Sequence, residues 1–169
     1  MEFVIPEFEV TTRKAVADAL RIGGRARVSV KSLATGQHLT VRLACKRRGE
    51  DGKFISRARK VGRVGFDECD ALFVDGDAAF DGWIATWYAD EGEWRQPKSY
   101  VDPRGAHYAW AAKAVVAWAL DGAVGLEEQA EIRLANECCI CGHKLEHPES
   151  VDRGIGPECL GKLTAGQHV

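Results

Sequence analysis

Near its C-terminus the sequence carries a cysteine cluster that leaves little choice of local structure: Cys138-Cys139-Ile140-Cys141-Gly142, then Gly154-Ile155-Gly156-Pro157-Glu158-Cys159. A two-residue gap lets the thiolates of Cys138 and Cys141 point at one ion from a tight turn, whose backbone N–H groups donate to the sulfurs. Gly142 permits such a turn. Pro157 suits the first turn of a helix with Gly156 at its cap. Cys159 then sits near a helix N-terminus, where the dipole favours a thiolate. Two sulfurs on a bend and a third at a helix start follow the ligand logic of a treble-clef-like zinc knuckle, and Zn2+ is the expected cofactor. Three sulfurs leave one place on the ion. His147 is the first candidate for it, because five residues separate it from Cys141 and the loop can fold it back. His143, Asp152 and a water are the alternatives. Cys139 points away if both its neighbours ligate.

Other cysteine chemistries fit less well. The N-terminus, MEFVIPEFEV, is acidic and contains a proline, unlike a secretory leader. The longest apolar stretch, residues 109–120, is interrupted by Lys113 and is too short to span a bilayer. A cytoplasmic protein with free thiols is expected, which argues against a disulfide framework. A redox Cys-x-x-Cys belongs at a helix start in a βαβ unit, and this pair precedes a turn. Cys45 and Cys69 read as small core residues.

The rest of the chain reads as an α+β domain: a small antiparallel sheet packed by one or two helices. Thr11 or Thr12 caps a short helix running to Leu20, with Val16 and Leu20 as its apolar stripe and Gly23-Gly24 as its stop. Residues 25–30 alternate, with Ala26, Val28 and Val30 on one face, and residues 38–43 do the same with Leu39, Val41 and Leu43. With Thr35-Gly36-Gln37 as a turn between them, these runs form a β-hairpin. Further strands are predicted over 54–59, 60–66 and 72–74. Residues 83–89 fit either strand or helix. Residues 106–120 form a buried helix, with Trp110, Ala114 and Trp118 read as one face packed on the sheet. Residues 130–134 form a strand leading into the cysteines, and 148–153 a helical turn. The predicted organisation is a core domain over 1–130 and a knuckle appendage over 131–169.

The segment from Cys138 to Leu163 resembles the C-terminal signature of uncharacterised proteins of actinobacterial phages and their hosts. Their pattern is Cys-x-x-Cys-Gly, then Leu-Thr-x-Pro-x-Ser, then Gly-x-Gly-Pro-x-Cys. Cys138, Cys141, Gly142, Leu145, Pro148, Ser150, Gly154, Gly156, Pro157 and Cys159 match it. The hairpin over 28–43 and the aromatic helix before the knuckle are similar in position to that family's. Its members often carry a histidine four residues before the first knuckle cysteine, which implies a three-Cys, one-His site. Leu134 occupies that position here. The resemblance implies zinc and a phage-type context, and it implies no reaction.

Charge suggests a role for the remainder. Residues 42–63 carry nine basic and two acidic side chains, whereas residues 67–93 carry nine acidic and no basic ones. Such separation can make a local basic surface on a chain whose formal net charge is −2. Arg42, Lys46, Arg47, Arg48, Lys53, Arg57, Arg59 and Lys60 are the candidate phosphate contacts for DNA or RNA. The alternative is a protein–protein module that engages a host protein through complementary potential. No Gly-rich phosphate loop, Ser/His/Asp set or HExxH motif is present, so a non-catalytic protein is expected.

Overall fold

The computed structural model describes residues 13–55, 64–76, 83–96, 103–135, 137–141, 143–146, 150 and 155–164. The expected hairpin forms β1 (Arg25–Ser32) and β2 (His38–Lys46), in a register that pairs Val28 with Val41 and Val30 with Leu39. Opposed residues share a face, so the two alternating patterns merge into one apolar surface. Gly36, at φ +73°, makes the connecting turn. The sheet continues through β3 (Ala71–Gly76), β4 (Trp83–Tyr88) and β5 (Glu93–Arg95), and, after the short helix α3 (Leu126–Gln129), β6 (Ala130–Leu134) is added beside β1. The order is β5-β4-β3-β2-β1-β6, and every pairing is antiparallel. Residues 83–88, where periodicity left two choices, are a strand.

One face of the sheet carries Val28, Val41, Leu43, Leu72, Val74, Ala85 and Ile132, all buried. Helix α2 (Pro103–Leu120) packs against it through Ala111, Ala112, Val115 and Trp118. Its alanines let the helix lie close to the strands. Burying a large aliphatic side chain in such a core contributes about 1.5–3 kcal/mol. Gly122, at φ +71°, ends α2, with the Ala123 N–H donating back to the Ala117 carbonyl at 3.1 Å.

The reading of Trp110 as a core residue is corrected: it is 56 % exposed, while Trp118 is 3 % exposed. The reason is helical geometry. Each four-residue step overshoots a full turn by about 40°, so positions eight apart diverge by about 80°. Trp110 follows the solvent side with His107 and Lys113, and Trp118 follows the core side with Val115.

Two predicted strands are also corrected within the described residues. Phe54 forms only an isolated bridge with Arg48, and Phe66 opens a 3-10 turn (Phe66–Glu68) rather than ending a strand. Ile55, Val64 and Gly65 are in no strand either; residues 56–63 lie outside the described residues, as do Thr11, Thr12 and all of 148–153 except the buried Ser150.

Before β1, α1 (Arg13–Asp18), which buries Val16, runs into a π-helical turn (Ala19–Gly23) that buries Leu20. Gly24, at φ +73°, closes it, with its N–H donating to the Leu20 carbonyl at 3.1 Å. Among the described residues, no helix is long and apolar enough to cross a membrane.

Candidate metal centre

The knuckle begins where β6 ends. Ala135 still donates to the Arg27 carbonyl of β1 at 2.8 Å, and Arg27 pairs with Glu137 at 3.1 Å. Glu137 and Lys144 then form an isolated antiparallel bridge, and the Cys138 N–H donates to the His143 carbonyl at 2.8 Å. The bend between these strands presents Cys138 and Cys141. On the other side, α4 (Pro157–Thr164) starts at Pro157, and the Leu160 N–H donates to the Gly156 carbonyl at 2.9 Å. Cys159 lies in its first turn.

The three sulfurs of Cys138, Cys141 and Cys159 lie within 4.8 Å of one another. A zinc-centred tetrahedron with Zn–S bonds of about 2.3 Å has sulfurs ~3.8 Å apart, so a small contraction seats the ion. Cys138 and Cys159 are buried and Cys141 is exposed.

Electrostatics favour a cation here. Burial works against a thiolate at Cys138. The N–H groups of Gly156, Cys141 and Ile140, aimed at the sulfur, outweigh it and hold the Cys138 pKa below its ordinary value. The Gly156 N–H lies 3.3 Å from Cys138 Sγ. At Cys159 burial, together with the sulfurs of Cys141 and Cys138, pushes the thiol up to about 12. Three thiolates this close need a positive ion between them. The sign of the pH dependence follows. Cys159 is a protonated thiol in the metal-free protein at neutral pH and a thiolate when it ligates, so binding releases its proton and affinity rises with pH. Zinc titrations at pH 7 in buffers of differing ionisation enthalpy are expected to show release of at least one proton per ion.

The remaining candidates fall as follows. His147 and Asp152 lie outside the described residues. The His143 side chain is exposed and is not among the three converging groups, although its carbonyl braces the bend. Leu134 is half-buried and lines a cleft of about 340 Å³ beside the knuckle, together with Arg25, Arg27, Arg42 and Asp75.

What holds the knuckle to the domain is visible only in the folded chain. Cys139 is buried with its sulfur against Gly23 of the π-helical turn. A Cβ at Gly23 would stand 2.5 Å from both Cys139 O and Cys139 Sγ. Ile140, Leu145, Ile155 and Cys159 belong to the same buried cluster as Val28, Val41 and Val115. Gly23→Ala is therefore expected to displace the bend, lowering stability by about 1–3 kcal/mol and weakening zinc binding. Gly161→Ala, on α4 with open space around it, is expected to leave both intact or raise stability slightly. Denaturant midpoints and competition with a chelator check the pair.

The basic candidates divide. Arg57, Arg59 and Lys60 lie outside the described residues. Arg42, Arg47, Arg48 and Lys53 are exposed and Lys46 is half-buried. Because β2 and β3 run antiparallel, the basic block folds back against the acidic one. Arg42 stands opposite Asp75, and the Arg48 backbone N–H donates to Asp70 Oδ2 at 2.6 Å; Arg21, from outside the basic block, pairs with Asp67 at 3.4 Å. The sheet thus neutralises part of the charge separation seen in the sequence.

Residues 129–164 match DUF6011, a family of unknown function, over the segment that holds β6, the bend and α4. No curated protein and no solved structure matches the chain.

Proposed function

We propose that this is a non-catalytic, zinc-containing binding protein of phage or prophage type. In this reading one zinc ion clamps residues 138–159 onto an α+β domain that contacts DNA or RNA. The observation that carries the metal is the convergence of three cysteine sulfurs within 4.8 Å. A sulfur-rich ligand set, buried on two sides and braced by backbone N–H groups, is the chemistry of structural zinc rather than of a water-activating site. The ion then fixes a segment too short to bury a core of its own.

Nucleic-acid contact is supported by the grouping of Lys46, Arg47, Arg48 and Lys53 at one end of the sheet. Their side chains would meet phosphates, with Arg42 further along β2. The phage-type context rests on the match of Cys138 through Cys159 to the signature described above. Retention of the metal-loaded protein on DNA or RNA at low salt is expected, with affinity falling steeply as salt rises from about 50 to 200 mM, in the manner of phosphate contacts. No retention on either polymer at low salt would reject this half of the proposal.

One observation favours a second reading, in which the partner is a host protein. Exposed Trp110 and Leu33 flank a groove between the tip of the β1–β2 hairpin and α2. Tryptophan is over-represented at the centres of protein interfaces. Trp110→Ala that leaves nucleic-acid retention intact but abolishes capture of a host protein would favour it.

A further inference from the structure

The sheet face opposite α2 carries an aromatic cluster outside the main hydrophobic core, covering Ala71 and Thr86. On β3, Leu72 and Val74 point to the core, so Phe73 points the other way, and the register places Tyr88 of β4 on the same face, diagonal to it. Phe54 closes over both. Its ring meets Phe73 edge-on, with centroids 4.9 Å apart at 73°, and lies 6.3 Å from Tyr88. All three are half-buried, so each keeps accessible surface.

Cations surround this cluster. Arg48 lies 4.6 Å from the centroid of Phe54 and 5.9 Å from that of Tyr88; Arg95 lies 5.2 Å from Tyr88, and Lys46 5.2 Å from Phe73. Each is within reach of a cation–π attraction. Acidic groups are also near: Glu91 pairs with Arg95, Glu93 stands opposite Tyr88, and Asp70 takes the Arg48 backbone N–H. The Arg48 guanidinium, anchored to the Gly52 carbonyl at 3.3 Å, lies over the Phe54 ring.

Rings on an outward sheet face, ringed by cations, form the surface on which unpaired bases stack. A base has a π-face that rests on an aromatic ring or a guanidinium plane, while lysines and arginines follow the backbone. A duplex hides those faces inside its own stack. We infer that the cluster of Phe54, Phe73, Tyr88 and Arg48 is a stacking platform for single-stranded nucleic acid crossing β2, β3 and β4. Bases rest on Phe54, Arg48 and Tyr88, and phosphates lie along Lys46, Arg47 and Lys53. The inference rests on the nucleic-acid reading above and names the strandedness and the residues that read it.

The test uses the full metal-loaded chain and fluorescence anisotropy at low salt with three labelled probes: oligo-dT, oligo-rU and a mixed-sequence duplex. At least one single-stranded probe is expected to bind tighter than the duplex, and the better of the two separates DNA from RNA as the source. Tyr88→Ala and Phe54→Ala are each expected to weaken that probe roughly tenfold or more. Arg48→Lys keeps the charge and loses the planar stacking surface, and is expected to weaken it by several-fold with unchanged metal content. That variant decides the matter if either aromatic truncation fails to fold. Equal affinity for duplex and single strand, or wild-type affinity in Arg48→Lys and in the folded aromatic variants, would overturn the platform while leaving nucleic-acid contact standing. No binding to any probe would remove both.

Discussion

Cys159→Ser is expected to abolish stoichiometric zinc and to release the C-terminal segment from the domain. Of the three sulfurs, this one comes from a separate element, α4, so losing it unties the helix from the bend as well as emptying the site. Structural zinc is worth about 10–16 kcal/mol in peptides that fold only with the metal. The effect here is smaller, because Ile140, Leu145 and Ile155 are also anchored in the core. The expected signature is a fall from one zinc per chain to none, a lower unfolding midpoint, and loss of that midpoint's sensitivity to chelator. Cys141→Ser is expected to do the same from the exposed side of the site. Cys45→Ser is expected to retain the metal, since Cys45 lies on β2, outside the converging set. Zinc retained in both Cys159→Ser and Cys141→Ser would overturn the assignment.

Trp118→Ala carries the second large effect, about 3–5 kcal/mol of destabilisation. The indole is buried between α2 and the rest of the core, and Arg13 of α1 lies 5.7 Å from its ring centroid. Truncation opens a cavity that the surrounding alanines and valines cannot fill. Trp110→Ala, two turns earlier on the same helix, is expected to fall within about 0.5 kcal/mol of the parent because its ring faces solvent. Urea unfolding of the two variants side by side checks the contrast. Similar losses in both would mean that α2 is rotated from the orientation described here.

These two tryptophans show where sequence reading stops. The alternation in β1 and β2 was legible because a strand's period of two repeats without drift, and the register followed from the turn at Gly36. The strand at Ala130–Leu134 was legible for the same reason. A helix drifts, so spacing by fours could not say which of Trp110 and Trp118 met the sheet. Residues 83–88, Trp-Ile-Ala-Thr-Trp-Tyr, lack polar alternation, and pairing with β3 decided what periodicity could not.

The site divides along the same line between local and distant. The spacing of Cys138, Cys141 and Cys159, with Gly156-Pro157 before the last, encodes a bend and a helix start, and those local structures bring the sulfurs together. Gly23 lies more than a hundred residues away in sequence, and only the folded chain sets its Cα against Cys139. The charge blocks were equally visible in the sequence, yet β2–β3 pairing lays Arg42 against Asp75 and so reduces the field they seemed to create. The Phe54, Phe73 and Tyr88 cluster draws on three elements and left only a faint trace, an aromatic residue on the outward phase of a core strand.

Zinc-edge X-ray absorption on the purified protein reads out directly whether the sulfurs of Cys138, Cys141 and Cys159 share one ion. One zinc per chain is expected, with three sulfur neighbours at about 2.3 Å and one lighter atom at about 2.0–2.2 Å. A preparation without bound metal at neutral pH, or an ion surrounded only by oxygen and nitrogen, would contradict it.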